Sequence, residues 1–204
     1  MTQANTNSPF YVDPNKVTIF NRSESELELF LLFCIVVAGK TAKTQAKLLE
    51  GFLTSLRANY GSDQTTPFQL IWNADSVGSL RSEIEKSRLG QYNRLEKSFR
   101  KTHDFLNKMK TISIDELETI PGVGPKTSRF YLLHSRQNQK YAVLDTHILH
   151  YMRDNGLTTL KVTPSGKQYV ATEQLFLNHA KSVNKTLADL DLEIWVKYSG
   201  NSKK

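Results

Sequence analysis

Cysteine is nearly absent: the 204-residue chain has one, Cys34. A single thiol excludes a disulfide framework, a four-cysteine zinc site and a four-cysteine iron–sulfur cluster. It lies in the apolar run Phe30 to Val37 and reads as a small buried hydrophobe. Long apolar runs are missing too, since the longest, Leu29 to Ala38, is too short to span a bilayer. The first residues, MTQANTNSPF, show no basic-then-apolar leader, so the expectation is a cytoplasmic chain without a membrane partner. Negative charge is scarce. Twenty acidic residues face 27 basic ones, for a net charge of +7 and a pI near 9.4. Such a balance suits an anionic partner, nucleic acid first, or serves solubility alone.

Period-two alternation of useful length is absent, and the chain reads as nearly all helix. Residues 1–22 are polar, broken by Pro9 and Pro14, and read as an extended or loosely held arm. Ser23 and Glu26 make a capping-box pattern ahead of a helix over about 24–38, whose second half is apolar all round and belongs in the core. A second helix is expected from Thr41 to Tyr60. Ser113 and Glu116 cap a short helix at 114–119, and a helix of about 125–135 follows. Asp145 precedes a helix to about Arg153, Thr163-Pro164 starts another to about Val183, and the last spans Thr186 to Ser199. Residues 81–110 hold nine basic side chains against four acidic ones, most of the net positive charge. This face is either simply solvated or tracks a phosphate backbone.

The most informative segment is Pro121-Gly122-Val123-Gly124-Pro125-Lys126. Glycine lets a backbone turn tightly and approach another surface closely. Proline suits the first helical position, and the helix start behind it offers unpaired N–H groups that a phosphate can accept from. The plain alternative is a tight turn between two helices.

With Ile120 to Ser128 followed by Val143-Leu144-Asp145-Thr146-His147, the chain resembles the helix-hairpin-helix DNA glycosylase superfamily. Its C-terminal stretch, Ala188-Asp189-Leu190-Asp191-Leu192-Glu193-Ile194-Trp195 with a terminal Lys204, is similar to the compact archaeal-type 8-oxoguanine DNA glycosylase/AP lyases, the second Ogg family. The resemblance runs from about residue 24 onward. It implies an all-α fold of two helical lobes with the active site in a cleft between them. One lobe would hold residues of about 60–150 with the hairpin, the other the N- and C-terminal helices, with residues 23–204 as the glycosylase domain behind the arm 1–22. It also implies a monomer that acts on double-stranded DNA containing a damaged or modified base, 8-oxoguanine first, without an iron–sulfur cluster. Hairpin carbonyls would hold a monovalent cation.

The same resemblance assigns residues. Lys126 is the nucleophile that displaces the base and forms a Schiff base, with β-elimination following. Its place in the first turn of a helix disfavours a cation by about 0.3–1 kcal/mol, and burial would add to that. Asp145 stabilises charge on the sugar and shuttles protons, while also capping its helix. His147 reads as structural. Gly122, Val123, Gly124, Lys40 and Arg94 are expected at the DNA. Tyr92, Trp195 and Lys204 are candidates for the base pocket, with Tyr92 and Trp195 equally readable as core. The loop Ala38-Gly39-Lys40-Thr41 lies where relatives fill the gap left by an extruded base, and Gly39 has nothing to fill it with. Two other readings stay open at this level: a glycosylase for another oxidised or hypermodified base, in repair or in defence against foreign DNA, and a hairpin protein that binds DNA without catalysis.

Overall fold

The computed structural model describes residues 8–199, and these residues are helical with no strand among them. The order is α1 Glu24–Val36, α2 Ala42–Tyr60, α3 Pro67–Ser76, α4 Leu80–Lys86, α5 Tyr92–Thr102, a 3-10 turn His103–Phe105, α6 Ile114–Glu118, α7 Pro125–Ser135, α8 Thr146–Asp154, α9 Gly166–Ser182 and α10 Leu187–Ser199. The described residues form two compact units, divided between Val123 and Gly124. This division differs from the expected lobes: α1 packs with α2, α3 and α5, and α10 with α7, α8 and α9. The N-terminal helix therefore shares a core with the middle helices, a pairing that hydrophobic content alone does not reveal.

In the first unit, α1 starts at the expected capping box, Ser23 with Glu26, and every residue from Leu27 to Val36 is buried. One of them is Glu28, which accepts a hydrogen bond from the Phe68 amide at the start of α3 (3.0 Å). Helix α3 thus receives a carboxylate at its positive end. Cys34 is buried and its thiol is pushed up by desolvation, as befits an inert core residue.

Residues 8–22 form no helix and are anchored to the protein. Phe10, Val12 and Val17 are buried. The Arg57 guanidinium lies 4.1 Å over the Phe10 ring, and that of Arg22 lies 4.0 Å over Phe30. Arg22 also donates to the Val17 and Ile19 carbonyls. Isolated apolar residues in a polar stretch carry no periodic signal, so their anchoring appears only once the cations that cover them are in place.

In the second unit, Ala142, Leu144, Ile148, Leu149, Tyr169, Phe176, Leu190 and Ile194 form one cluster. Arg129 of α7 and Glu173 of α9 make a buried pair (2.8 Å), and Glu173 also accepts from the Ala142 amide. Helix α9 begins later than the sequence suggests. Ser165 is its N-cap, and Thr163 instead donates to the Leu144 carbonyl (2.8 Å).

Candidate active site

The turn between α6 and α7 has the expected backbone. Gly122 has φ +82°, and a Cβ built there would stand 2.8 Å from Cδ of Arg94. Only glycine suits both its conformation and the close approach of that side chain. Gly124, the N-cap of α7, is extended and has open space where a Cβ would point. Val123 is buried, and its amide donates to the Ile120 carbonyl (2.9 Å). Its side chain faces the protein, not a ligand. Pro125 occupies the first helical position, and Lys126 follows in the first turn.

Asp145 caps α8. Its Oδ1 accepts from the amides of His147 and Ile148, both at 2.9 Å. Its Oδ2 lies 3.9 Å from Lys126 Nζ, and the two side chains are 48% and 17% exposed for Lys126 and Asp145 respectively. One oxygen is thus committed to the helix and the other faces the amine. The amine is half exposed and reachable from solvent. His147 is half-buried and contributes its backbone amide to the cap.

The same unit holds a second couple that sequence reasoning passed over. His134 Nε2 on α7 is 3.1 Å from Asp191 Oδ2 on α10, and both side chains are buried. Desolvation pushes the Asp191 carboxyl above the ordinary carboxylate range. The His134 hydrogen bond and charge oppose this, Asp145 adds to it and Lys126 opposes it. Asp191 stood in the Leu-Asp-Leu motif, but nothing in the pattern tied it to a histidine 57 positions away. Trp195, on α10, is 40% exposed, so the core alternative for it does not hold.

The basic residues expected at DNA have mixed placements in the first unit. Lys40 donates its amine to the Leu89 carbonyl. Arg94 donates to the Ile35 carbonyl near the end of α1 (3.0 Å) and packs its stem against Gly122. Both act within the protein. Arg81, Lys86, Arg100 and Lys101 are paired with Glu85 and Glu96, Glu83, Asp75 and Glu96, and Asp104 respectively. Arg88, Lys97 and Lys110 make no ion pair among the described residues, while Lys108 acts on the Asp104 and Glu116 carboxylates. Tyr92 is the first residue of α5, half-buried, with the Arg81 guanidinium 5.7 Å from its ring. In the loop before it, Gly90 marks the break between helices, and Arg88 and Gln91 share its positive φ, which no sequence pattern signals. Strain of this kind gathers at working surfaces. Lys204 lies outside the described residues.

Among the described residues, no group of three or more His, Cys, Asp or Glu side chains could hold a metal ion. The Ile120 carbonyl accepts from Val123, and that of Pro121 from the Ser98 hydroxyl, so each keeps one lone pair. No helix among the described residues is long and apolar enough to cross a membrane.

No profile of a known protein family matches the chain. Individual relatives do. The 8-oxoguanine DNA glycosylase/AP lyase of Methanocaldococcus jannaschii is 24% identical over 188 residues, 88% of this chain and 84% of the relative. The protein of the same description from Picrophilus torridus is 25% identical over 178 residues, 81% and 75% of the two chains. Crystal structures agree in fold. The 8-oxoguanine DNA glycosylase of Thermotoga maritima superposes with a TM-score of 0.60 at 18% identity, covering 85% of this chain and 79% of that one. The M. jannaschii enzyme gives 0.62 at 22%, covering 88% and 81%. Over most of its length the chain is thus similar in sequence to archaeal 8-oxoguanine DNA glycosylase/AP lyases, and it shares the fold of the Ogg-type helix-hairpin-helix glycosylases.

Proposed function

We propose that the protein is a bifunctional DNA glycosylase/AP lyase that excises 8-oxoguanine from duplex DNA. The observation that carries this reading is the amine of Lys126 facing the uncommitted oxygen of Asp145 at 3.9 Å, directly behind a hairpin built for a phosphate. It is supported by the relatives' activity, 8-oxoguanine DNA glycosylase/AP lyase.

An enzyme of this kind draws the target nucleotide out of the stack, at a cost of roughly a few kcal/mol. Attack needs a neutral amine, and Asp145 Oδ2 is placed to take the proton. The Lys126 lone pair then forms the bond to C1′, while the C1′–N bond breaks and its electron pair leaves with the base, which takes up a proton. Opening of the sugar at O4′ gives the protonated Schiff base. Loss of a proton from C2′ expels the 3′ phosphate by β-elimination. The departing base takes that proton from Asp145, and the carboxylate so restored faces the positive charge growing at the sugar. Trp195, exposed on α10 in the same unit, is the group we assign to stacking on the extruded base. Tyr92 and Lys204 rest on the family resemblance alone. The remaining lone pairs of the hairpin carbonyls are those a monovalent cation would use.

Borohydride trapping on a duplex with 8-oxoguanine opposite cytosine tests the assignment. Wild type is expected to form a covalent adduct. Lys126→Gln is expected to lose it while still binding the damaged duplex. An adduct undiminished by that substitution refutes the nucleophile. A panel of modified bases tests the substrate, and release of another base with 8-oxoguanine untouched overturns the choice of 8-oxoguanine.

A further inference from the structure

Ala142, Val143 and Leu144 run directly into Asp145 without helix or strand, yet all three are buried. A buried main chain must bond its N–H and C=O groups somewhere. Here side chains take them, where a neighbouring strand would do so in a sheet. The Ala142 amide donates to Glu173 Oε1 (2.8 Å), and the Ala142 carbonyl accepts from the Tyr169 hydroxyl (2.8 Å). The same Tyr169 oxygen accepts from the Leu144 amide (3.1 Å), and the Leu144 carbonyl accepts from the Thr163 hydroxyl (2.8 Å). Tyr169 and Glu173 stand one turn apart on α9 and so share a face.

The same side chains reach the other reacting residue. Arg129 grips Glu173 with two N–H groups, Nε to Oε1 (2.8 Å) and Nη2 to Oε2 (3.2 Å), and its guanidinium lies 4.5 Å over the Tyr169 ring. Arg129 Nη1 donates to the carbonyl of Pro125 (3.3 Å), the residue before Lys126 in the first turn of α7. A buried ion pair costs desolvation that an apolar pair of similar size does not, so packing alone does not account for it. Its further bonds go to the backbone ahead of both reacting residues, Pro125 on one side and Ala142 on the other.

We propose that Arg129, Glu173, Tyr169 and Thr163 form a positioning frame that holds the Asp145 carboxylate opposite the Lys126 amine. This rests on the reading of those two residues as base and nucleophile. The frame acts through the main chain. One end fixes the start of α7, and the other fixes the segment that delivers Asp145 to the start of α8. Proton transfer and attack depend steeply on where the two groups sit, and a misplacement of about 1 Å costs on the order of 100-fold in rate.

Removing Arg129 or Glu173 would leave a buried charge alone and endanger the fold, so the test uses the hydroxyls. Tyr169→Phe keeps the ring and loses both backbone bonds. Thr163→Val, at an exposed position, loses the bond to Leu144, and Thr163→Ser keeps it. Base release from the 8-oxoguanine duplex is followed in single turnover at saturating protein. It is expected to fall about 10–100-fold in Tyr169→Phe and about 3–10-fold in Thr163→Val. Duplex Kd, read by fluorescence anisotropy, is expected to stay unchanged, and Thr163→Ser to react at the wild-type rate. Tyr151→Phe also loses a hydroxyl, one bonded to His179 (2.6 Å) and not to the 142–144 backbone, and is expected to react as wild type. Wild-type rates in Tyr169→Phe and Thr163→Val overturn the proposal. So do an equal fall in Tyr151→Phe, a Thr163→Ser as slow as Thr163→Val, and a duplex affinity that weakens in step with the rate. Should Tyr169→Phe fail to fold, the two threonine variants decide by the same criteria. A second readout needs no DNA. The amide 1H–15N shifts of His147 and Ile148, which donate to Asp145 Oδ1, are expected to move in Thr163→Val and to return in Thr163→Ser. Unmoved shifts overturn the frame. If they move as expected while the wild-type protein releases no base, the enzymatic reading fails and the frame stands.

Discussion

At Asp145 the two carboxylate oxygens do separate work, and substitution separates them. Oδ1 accepts from two amides at the start of α8, a task that an asparagine oxygen also performs. Asp145→Asn is therefore expected to keep the thermal stability of the wild type while base release in single turnover falls by roughly 100-fold or more. Asp145→Ala loses the cap as well, at about 1 kcal/mol in urea unfolding. Equal stability of the two variants would show that the cap carries no weight. The two hairpin glycines divide in the same way. Gly122→Ala meets a positive φ and the stem of Arg94, and should lose about 1–2 kcal/mol. Gly124→Ala has room for its methyl, so its stability should hold while duplex affinity, read by fluorescence anisotropy, drops. Unchanged affinity would mean that no phosphate comes close to this backbone.

Elements are joined by polar side chains that the hydrophobic pattern does not announce. Glu28 is one: it sits inside the apolar α1 and binds the start of α3. Burial pushes its carboxyl up from 4.5 to about 6, against the opposing Phe68 and Thr66 hydrogen bonds. The folded state thus holds this proton more tightly than the unfolded chain does. Its contribution to stability is complete below pH 4.5 and is lost as pH rises through 6, by about 2 kcal/mol. Glu28→Gln keeps an acceptor for the Phe68 amide and cannot ionise. The stability difference between wild type and variant, followed by urea unfolding, should therefore change by about that amount between pH 4 and pH 7 in the variant's favour, an order-of-magnitude figure. A flat difference would place the Glu28 carboxylate in a polar setting. Lys40 and Arg94 join elements likewise, through the Leu89 and Ile35 carbonyls.

For the whole molecule, the net charge of +7 is not one uniform field for DNA. Part of the basic stretch 81–110 is neutralised by its own carboxylates, and Arg94 is spent on a carbonyl. Arg88→Ala or Lys97→Ala should each lower the salt dependence of duplex binding by about one released counterion. Arg94→Met should leave that slope alone and cost about 1–2 kcal/mol of stability, because the Ile35 carbonyl loses its partner. A slope reduced by Arg94→Met would return this residue to the DNA. Much was legible beforehand for physical reasons that act locally. Capping at Ser23, Ser113 and Asp145, the proline and glycines of the hairpin, and the apolar run of α1 operate within a few residues and mark helix ends wherever they occur. The amino-acid order by itself therefore determined the helical make-up of the described residues and the hairpin, while Lys126 and Asp145, which carry the proposed chemistry, came from the family resemblance. Tertiary structure alone decided which cations are free, how residues 8–22 are anchored, which helices share a core, and that His134 meets Asp191. Those outcomes depend on distances between residues far apart in the chain, set by packing, which no local pattern encodes.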